Sequence, residues 1–340
     1  MEAFYEFEKP IALLEKKLSD LRQLSKEEGM DFKQEILSLE KKVQKLTEDT
    51  YGSLSAWQLV QVSRHPNRPY TRDFIDALFT GFMDMSGDRT FGEDQAILGG
   101  TAMWDMGGSS GKVPIMIIGH QKGRSTKQKM ERNFGMAKPE GYRKAMRLME
   151  LASRTKMPII TFIDTPGAYP GLEAEERGQA QAIAESIRMM FGLEVPILTI
   201  VIGEGGSGGA LAIGVADRVL MMEYSTYSVI SPESCASILW NDSGLASRAA
   251  EKLKMNPKEL LEMGVIDAII AEPLGGAQRD WPETFEGARK AITKHFNPLL
   301  KAQTKATNPK KLQTERYAKF RDIGESAITH IRTRSEERTQ

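Results

Sequence analysis

Apolar positions along the chain follow two different periods. From about 10 to 48 they recur at spacings of three and four: Ile11, Leu14, Leu18 and Leu21, then Ile36, Leu39, Val43 and Leu46 after a break at Gly29. Lys and Glu fill the remaining faces. A narrow seam of this kind predicts a helical hairpin packed on itself or on the main body. From about 71 to 270, short and nearly continuous apolar runs alternate with helical periodicity. The runs at 96–104, 113–119, 157–164, 195–202, 217–224 and 265–270 read as strands. The stretches 71–85, 139–155, 173–192 and 245–263 read as helices, and 228–240 reads as a strand running into a helix. Beyond about 297 the chain is polar and rich in Lys and Arg, with thin helical patterning at Tyr317, Phe320 and Ile323. That predicts a surface helix with a frayed end from Thr333 to Gln340.

The runs at 96–104 and 113–119 flank a Gly-rich turn and read as a hairpin. The rest alternates strand and helix, which implies parallel strands, crossover helices and an α/β fold. Each strand end carries a Gly- or Pro-rich loop: Gly119, Thr165 to Gly171, Gly203 to Gly209, and Ser231 to Cys235. Loops that recur at one edge of a sheet are candidate walls of one site.

Composition narrows the function classes. The 340 residues suit one large or two ordinary domains. Lys plus Arg and Asp plus Glu both total 46, so the formal charge is zero, which argues against a general nucleic-acid binder. The single cysteine, Cys235, can form neither an internal disulfide nor a four-cysteine zinc site within this chain. The acidic start Met1-Glu-Ala-Phe-Tyr-Glu-Phe-Glu8 is not a secretory signal. No apolar run nears the roughly 20 residues that span a bilayer. A reducing, cytoplasmic setting and no membrane partner are expected.

The chemistry concentrates in Val195 to Gly214. An apolar run ends in Gly203-Glu-Gly-Gly-Ser-Gly-Gly209, and an Ala/Leu/Ile segment follows. A strand, a tight turn and a helix start would offer backbone N–H groups to a negative charge: a phosphate, a tetrahedral oxyanion or an enolate-like oxygen. Gly203 to Gly208 also fits the dinucleotide fingerprint, with Glu223 as its acidic residue, and Gly205 to Gly209 fits the nucleophile elbow around Ser207. The first fingerprint usually opens a domain, and this one lies about 200 residues in. The second needs a histidine base, and none of His65, His120, His295 and His330 stands in a recognisable place for it. Asp164 reads as a possible general base or metal ligand, or as a residue that holds the following turn. Lys122, Arg124, Lys127, Lys129 and Arg132 form a basic run whose default reading is a solvated face. What remains is a backbone anion site suited to oxyanion stabilisation.

Several stretches together resemble one family: Arg64-His-Pro-Asn-Arg-Pro-Tyr70, Ile117-Ile-Gly-His-Gln-Lys-Gly-Arg124, Arg132-Asn-Phe-Gly-Met136, Pro139-Glu-Gly-Tyr-Arg-Lys144, Thr161-Phe-Ile-Asp-Thr-Pro-Gly-Ala-Tyr-Pro-Gly171, Glu175-Glu-Arg-Gly178, Val201 to Gly214, and Tyr224-Ser-Thr-Tyr-Ser-Val-Ile-Ser-Pro-Glu233. They run in order over most of 4–275 and are similar to the alpha subunit of bacterial-type acetyl-CoA carboxylase carboxyltransferase. The resemblance implies a crotonase-like fold of repeated ββα units behind an N-terminal helical hairpin. The expected organisation is a hairpin at 1–50, a carboxyltransferase domain at 51–296 and a polar helix or tail at 297–340. It implies an α2β2 assembly with a zinc-ribbon beta subunit, working with biotin carboxyl carrier protein and biotin carboxylase. The carboxyl group would pass from carboxybiotin on the carrier to acetyl-CoA, giving malonyl-CoA for fatty-acid synthesis, with no metal in this chain. Gly205 and Gly206 match the family's oxyanion-hole pair for the biotin side, and the resemblance implies Ser207 and Ser234 as cofactor-binding residues beside them. Ser234 stands where the family pattern has Gly, and Asn241 to Ser247 departs from its charged stretch. The alternatives are a stand-alone crotonase-fold hydratase or isomerase, which needs a carboxylate pair such as Asp164 with Glu204 or Glu233, and a non-catalytic scaffold.

Overall fold

The computed structural model describes residues 4–27, 31–108, 111–305, 308 and 310–323. Helices α1 (Lys9–Glu27) and α2 (Lys33–Gly52) form the N-terminal pair, followed by α3 (Ala56–Ser63) and α4 (Thr71–Leu78). Strands β1 (Thr80–Asp84), β2 (Ile97–Asp105) and β3 (Lys112–His120) come next, then α5 (Thr126–Glu131) and α6 (Pro139–Arg154). The centre runs β4 (Ile159–Thr165), α7 (Leu172–Glu176), α8 (Gln179–Gly192), β5 (Ile197–Gly206), α9 (Ser207–Leu211) and β6 (Arg218–Met222). The last elements are β7 (Thr226–Ser228), α10 (Pro232–Trp240), α11 (Ala246–Lys252), α12 (Pro257–Glu262), β8 (Ala268–Ile270) and α13 (Trp281–Lys305).

The strands found among the described residues form one sheet in the order β1-β2-β3-β4-β5-β6-β8, with β7 paired to the far end of β5. The first three are antiparallel neighbours, and β3, β4, β5, β6 and β8 run parallel. Strand order follows chain order, so the sheet has no reversal of direction like the one that receives dinucleotides. One-way winding with right-handed crossovers sends the crossover helices to a single face. There Tyr142, Leu148 and Met149 of α6 and Met190 of α8 pack on Met116, Ile118, Ile159 and Val201. On the opposite face Phe74 and Leu78 of α4 and Ile292, Phe296 and Leu300 of α13 meet Ile117, Ile160, Phe162 and Ile200. With both faces covered, a strand must be apolar at every position, which is why the runs read as continuous. The polar exceptions on the α6 face satisfy each other: Thr161 and Thr199 are in register, with hydroxyls 2.6 Å apart, and Thr161 donates to the Ile213 carbonyl.

Several expectations need correction. The helix expected over 71–85 ends at Leu78, and β1 takes over as an exposed edge strand. The helix over 173–192 is two, split where Gly178 adopts φ +80°. The helix over 245–263 is also two, because Asn256 caps a new start at Pro257. Strand β5 continues through the glycines to Gly206, and the helix after it is five residues long. The boundary expected between 296 and 297 falls inside α13, whose Phe296 and Leu300 belong to the same core as the sheet. Nor is the C-terminal stretch only a surface helix. Arg316 is fully buried, bound to both carboxylate oxygens of Asp217 and to the carbonyls of Met190, Leu193 and Val195. The break at Gly29 and the end from Thr333 to Gln340 lie outside the described residues.

Candidate functional site

The carboxyl ends of β3, β4 and β5 gather five charged side chains. Lys122 follows β3 by two residues, Asp164 is the penultimate residue of β4, and Glu204 lies near the end of β5. Lys122 Nζ is 2.8 Å from both Asp164 Oδ1 and Glu204 Oε1. Arg64, which closes α3, donates from Nε to Glu204 Oε2 at 2.7 Å and from Nη1 to Glu233 Oε1 at 2.5 Å. Glu233 sits in the first turn of α10. Asp164 also accepts the Glu204 N–H at 3.2 Å, so its carboxylate fixes the peptide that leads into the glycines.

Burial alone would strip Lys122 of its proton, but the adjacent carboxylates of Asp164 and Glu204 outweigh it and raise its pKa. Burial pushes Glu204 up, and Lys122 and Arg64 together pull it below the ordinary carboxylate value. Asp164 is raised by burial, with Lys122 opposing. The carboxylates required by the hydratase alternative are therefore brought together, but they are tied to cations in a buried cluster. Lys122 itself leaves the solvated run it was read in: its side chain is only 13% exposed and sits between carboxylates, whereas Lys127 is exposed and Lys129 half-buried. Arg124 lies over the rings of Tyr70 and Trp281.

Beside this cluster a narrow cleft is walled by Arg64, Glu204, Gly205, Gly206, Ser231 and Pro232. Gly205 is in register with Thr165 of β4 and Tyr227 of β7, and Gly206 pairs with Ser228 at the end of the β5–β7 ladder. A Cβ on Gly206 would lie 2.0 Å from the Pro166 carbonyl oxygen, and one on Gly209 would lie 2.5 Å from the Ala168 nitrogen. What approaches these glycines is thus the Thr165 to Gly171 loop, pressed on the end of β5. A Cβ on Gly205 would meet side chains only, Tyr227 Cδ2 at 2.7 Å and Ile163 Cγ2 at 3.2 Å.

Ser207 is exposed, adopts φ +52°, and faces a neighbouring apolar hollow of about 570 Å³ together with Leu211, Tyr227 and Val229. Ser234 is exposed on the first turn of α10, where its N–H and hydroxyl both meet the Ser231 hydroxyl. A regular helix accepts Ser there without strain. The cleft therefore holds Gly205 and Gly206 together, whereas Ser207 and Ser234 line other surfaces. His120 is fully buried, and burial, then the Lys122 charge, lowers its pKa to about 3. His65 is buried too and accepts the Asn67 N–H at Nδ1. Neither histidine is placed as a base for Ser207.

Single-direction winding, with the glycine-lined cleft at the strand ends, defines an α/β fold of the crotonase-like class. The fold is similar to that of a Pseudomonas malonate decarboxylase hetero-tetramer chain (TM-score 0.56, 14% identity, 78% of this chain and 98% of that one). It is also similar to the beta subunit of geranyl-CoA carboxylase from P. aeruginosa (TM-score 0.54, 17% identity, 74% of this chain and 45% of that one). At these identities the likeness concerns the fold. Sequence supplies the family. Residues 4–324 match the family described as acetyl co-enzyme A carboxylase carboxyltransferase-like. The acetyl-CoA carboxylase carboxyl transferase alpha subunit of Thiobacillus denitrificans is 53% identical over 321 residues, covering 94% of this chain and 96% of that protein. The one from Geobacter metallireducens is 53% identical over 322 residues, covering 95% and 98%. The chain belongs to the acetyl-CoA carboxylase carboxyltransferase alpha-subunit family.

Sequence reading missed the Arg64–Glu204–Lys122–Asp164 arrangement. The sequence offers Asp164 and Glu204 as a carboxylate pair but not the cations between them, because nothing local marks a Lys or Arg as buried and burial depends on partners far away in the chain. Arg64 and Glu233 are 169 residues apart.

Proposed function

We propose that this chain supplies the biotin-side half of an acetyl-CoA carboxylase carboxyltransferase site, inactive alone and active with a zinc-ribbon beta subunit in an α2β2 assembly. The observation that carries the reading is family membership over residues 4–324, a span that contains Gly205 and Gly206. Carboxybiotin, a substrate delivered on a separate carrier protein charged by biotin carboxylase, supplies the carboxyl group; its ureido oxygen gathers negative charge as that group leaves, and the biotin anion takes the methyl proton that the carboxyl group replaces on acetyl-CoA. The backbone N–H groups of Gly205 and Gly206 receive that oxygen. An aimed oxyanion donor contributes about 2.7–4 kcal/mol as charge develops. Lys122 is held by both Asp164 and Glu204, which suits a site where backbone rather than an acid–base side chain meets the oxyanion. The product is malonyl-CoA for fatty-acid synthesis. No described helix is long and apolar enough to cross a membrane.

The test is reconstitution with the beta subunit, carrier and biotin carboxylase, measuring malonyl-CoA formation from acetyl-CoA. Turnover that requires both subunits is expected; transfer by this chain alone refutes the half-site. Gly205→Ala presses its Cβ on the Tyr227 ring and the fully buried Ile163 and so displaces the donors at the end of β5; kcat should fall about 10²–10³-fold while circular dichroism stays native. A wild-type kcat in that variant refutes the oxyanion assignment.

A further inference from the structure

Arg64 holds two carboxylates of very different character. On its Nε side Glu204 is almost buried, at 10% side-chain exposure, and is also gripped by Lys122. On its Nη side Glu233 is 38% exposed and bound unevenly, at 2.5 Å to Nη1 and 3.4 Å to Nη2. The first contact fixes the guanidinium plane; the second can be exchanged. Glu233 also has somewhere else to go. It sits in the first turn of α10, where helix N–H groups and the dipole stabilise a carboxylate that has released its partner. Arg64 lines the same cleft as Gly205 and Gly206.

We propose, resting on the function above, that Arg64 binds the N-carboxylate of carboxybiotin and that Glu233 is its internal stand-in. A planar fork of two N–H donors matches a carboxylate, and a group bound through its ureido oxygen at Gly205 and Gly206 carries that carboxylate on the adjacent nitrogen. On entry the substrate carboxylate takes the Nη1 and Nη2 donors and Glu233 turns to solvent. After transfer the discharged biotin has no carboxylate, Glu233 returns to Arg64, and the site favours release. Arg64 thereby distinguishes charged from discharged biotin, which the glycine N–H groups cannot do, because both forms carry the ureido oxygen.

The experiment uses the reconstituted complex with this chain as wild type, Glu233→Gln or Arg64→Gln/Glu233→Gln. The double variant avoids leaving Glu233 unpaired when the cation is removed. Two KM values are read: free carboxybiotin with acetyl-CoA, and free biotin with malonyl-CoA in reverse. Glu233→Gln removes the competitor and should lower the carboxybiotin KM about threefold to tenfold, while the double variant should raise it about tenfold or more. The biotin KM should move less than about twofold in both. Equal shifts in both KM values, or none, overturn the role of Arg64 and leave a merely structural clamp. A wild-type complex with no carboxyl transfer fails at the earlier step and overturns the function itself.

Discussion

Replacing Lys122 with Met keeps most of the side-chain volume and removes the cation that contacts both Asp164 and Glu204. Each contact is 2.8 Å long. At an effective dielectric of about 20, such a contact is worth about 6 kcal/mol before desolvation. Burial of the ammonium offsets much of that, and removing one member of a buried charge pair costs about 3–5 kcal/mol net. Arg64 stays 2.7 Å from Glu204, so the larger share of the penalty falls on Asp164. The pH dependence gives a second signature. In the wild type Glu204 lies below its ordinary value of 4.5, so its contribution is present above that pH and lost as pH falls through the folded value. In Lys122→Met, Asp164 has lost the charge that opposed its burial, and its folded pKa rises further above 3.8. A carboxyl raised on folding takes up its proton in the folded state first, so it recovers stability as pH falls. The gap between variant and wild type should be widest near about pH 7–8 and narrow below about pH 5. Urea unfolding of the full chain at several pH values, followed by circular dichroism, measures both effects. A cost under about 1 kcal/mol at neutral pH, or one that does not change with pH, refutes the buried-cluster account.

Gly206→Ala places a Cβ 2.0 Å from a backbone carbonyl and should cost about 3 kcal/mol or more, whereas Gly208→Ala meets only Ile183 Cγ2 at 3.4 Å and should stay within about 1 kcal/mol of wild type. Paired thermal melts decide it, and equal melting points would remove packing as the reason for Gly206. Arg316→Met leaves Asp217 buried without its cation and should lose about 3–5 kcal/mol, with the stretch 311–323 becoming open to trypsin before the rest of the chain. Unaltered proteolysis would show that this anchor does not hold that stretch. His120 is neutral when folded, with its pKa lowered from 6.5 to about 3, so its contribution is present above pH 6.5 and is lost as pH falls from there toward 3. His120→Gln should flatten that acid slope, and a ring proton resonance titrating near 6.5 in the folded protein would contradict the burial argument.

Local pattern carried much of the architecture. The spacing of Ile11, Leu14 and Leu18 marked α1, and the continuous runs marked β3, β4 and β5, because both are consequences of which faces meet a core. The long motifs carried the family, since residues 4–324 match it in order. The failures have equally local causes. The edge strand β1 is mostly exposed, so no burial pattern set it apart from the helix before it. Gly178 and Asn256-Pro257 end helices through backbone dihedrals and capping, which leave the apolar period on either side intact.

The charges and glycines at the site separate sequence from structure most clearly. The sequence by itself determined that bulk is missing at Gly205, Gly206 and Gly209 and that an apolar strand leads into them. Only the tertiary structure decided that a neighbouring loop fills that space, through the Pro166 carbonyl and the Ala168 nitrogen. Likewise Lys122 and Arg316 carry a surface composition signal yet lie in the interior, each matched by carboxylates that the chain delivers from far along its length: 82 residues separate Lys122 from Glu204, and 99 separate Arg316 from Asp217. Hydrophobic period is a property of neighbours in the chain. Charge compensation is a property of neighbours in space, and it exists only once the sheet has brought β3, β4 and β5 side by side.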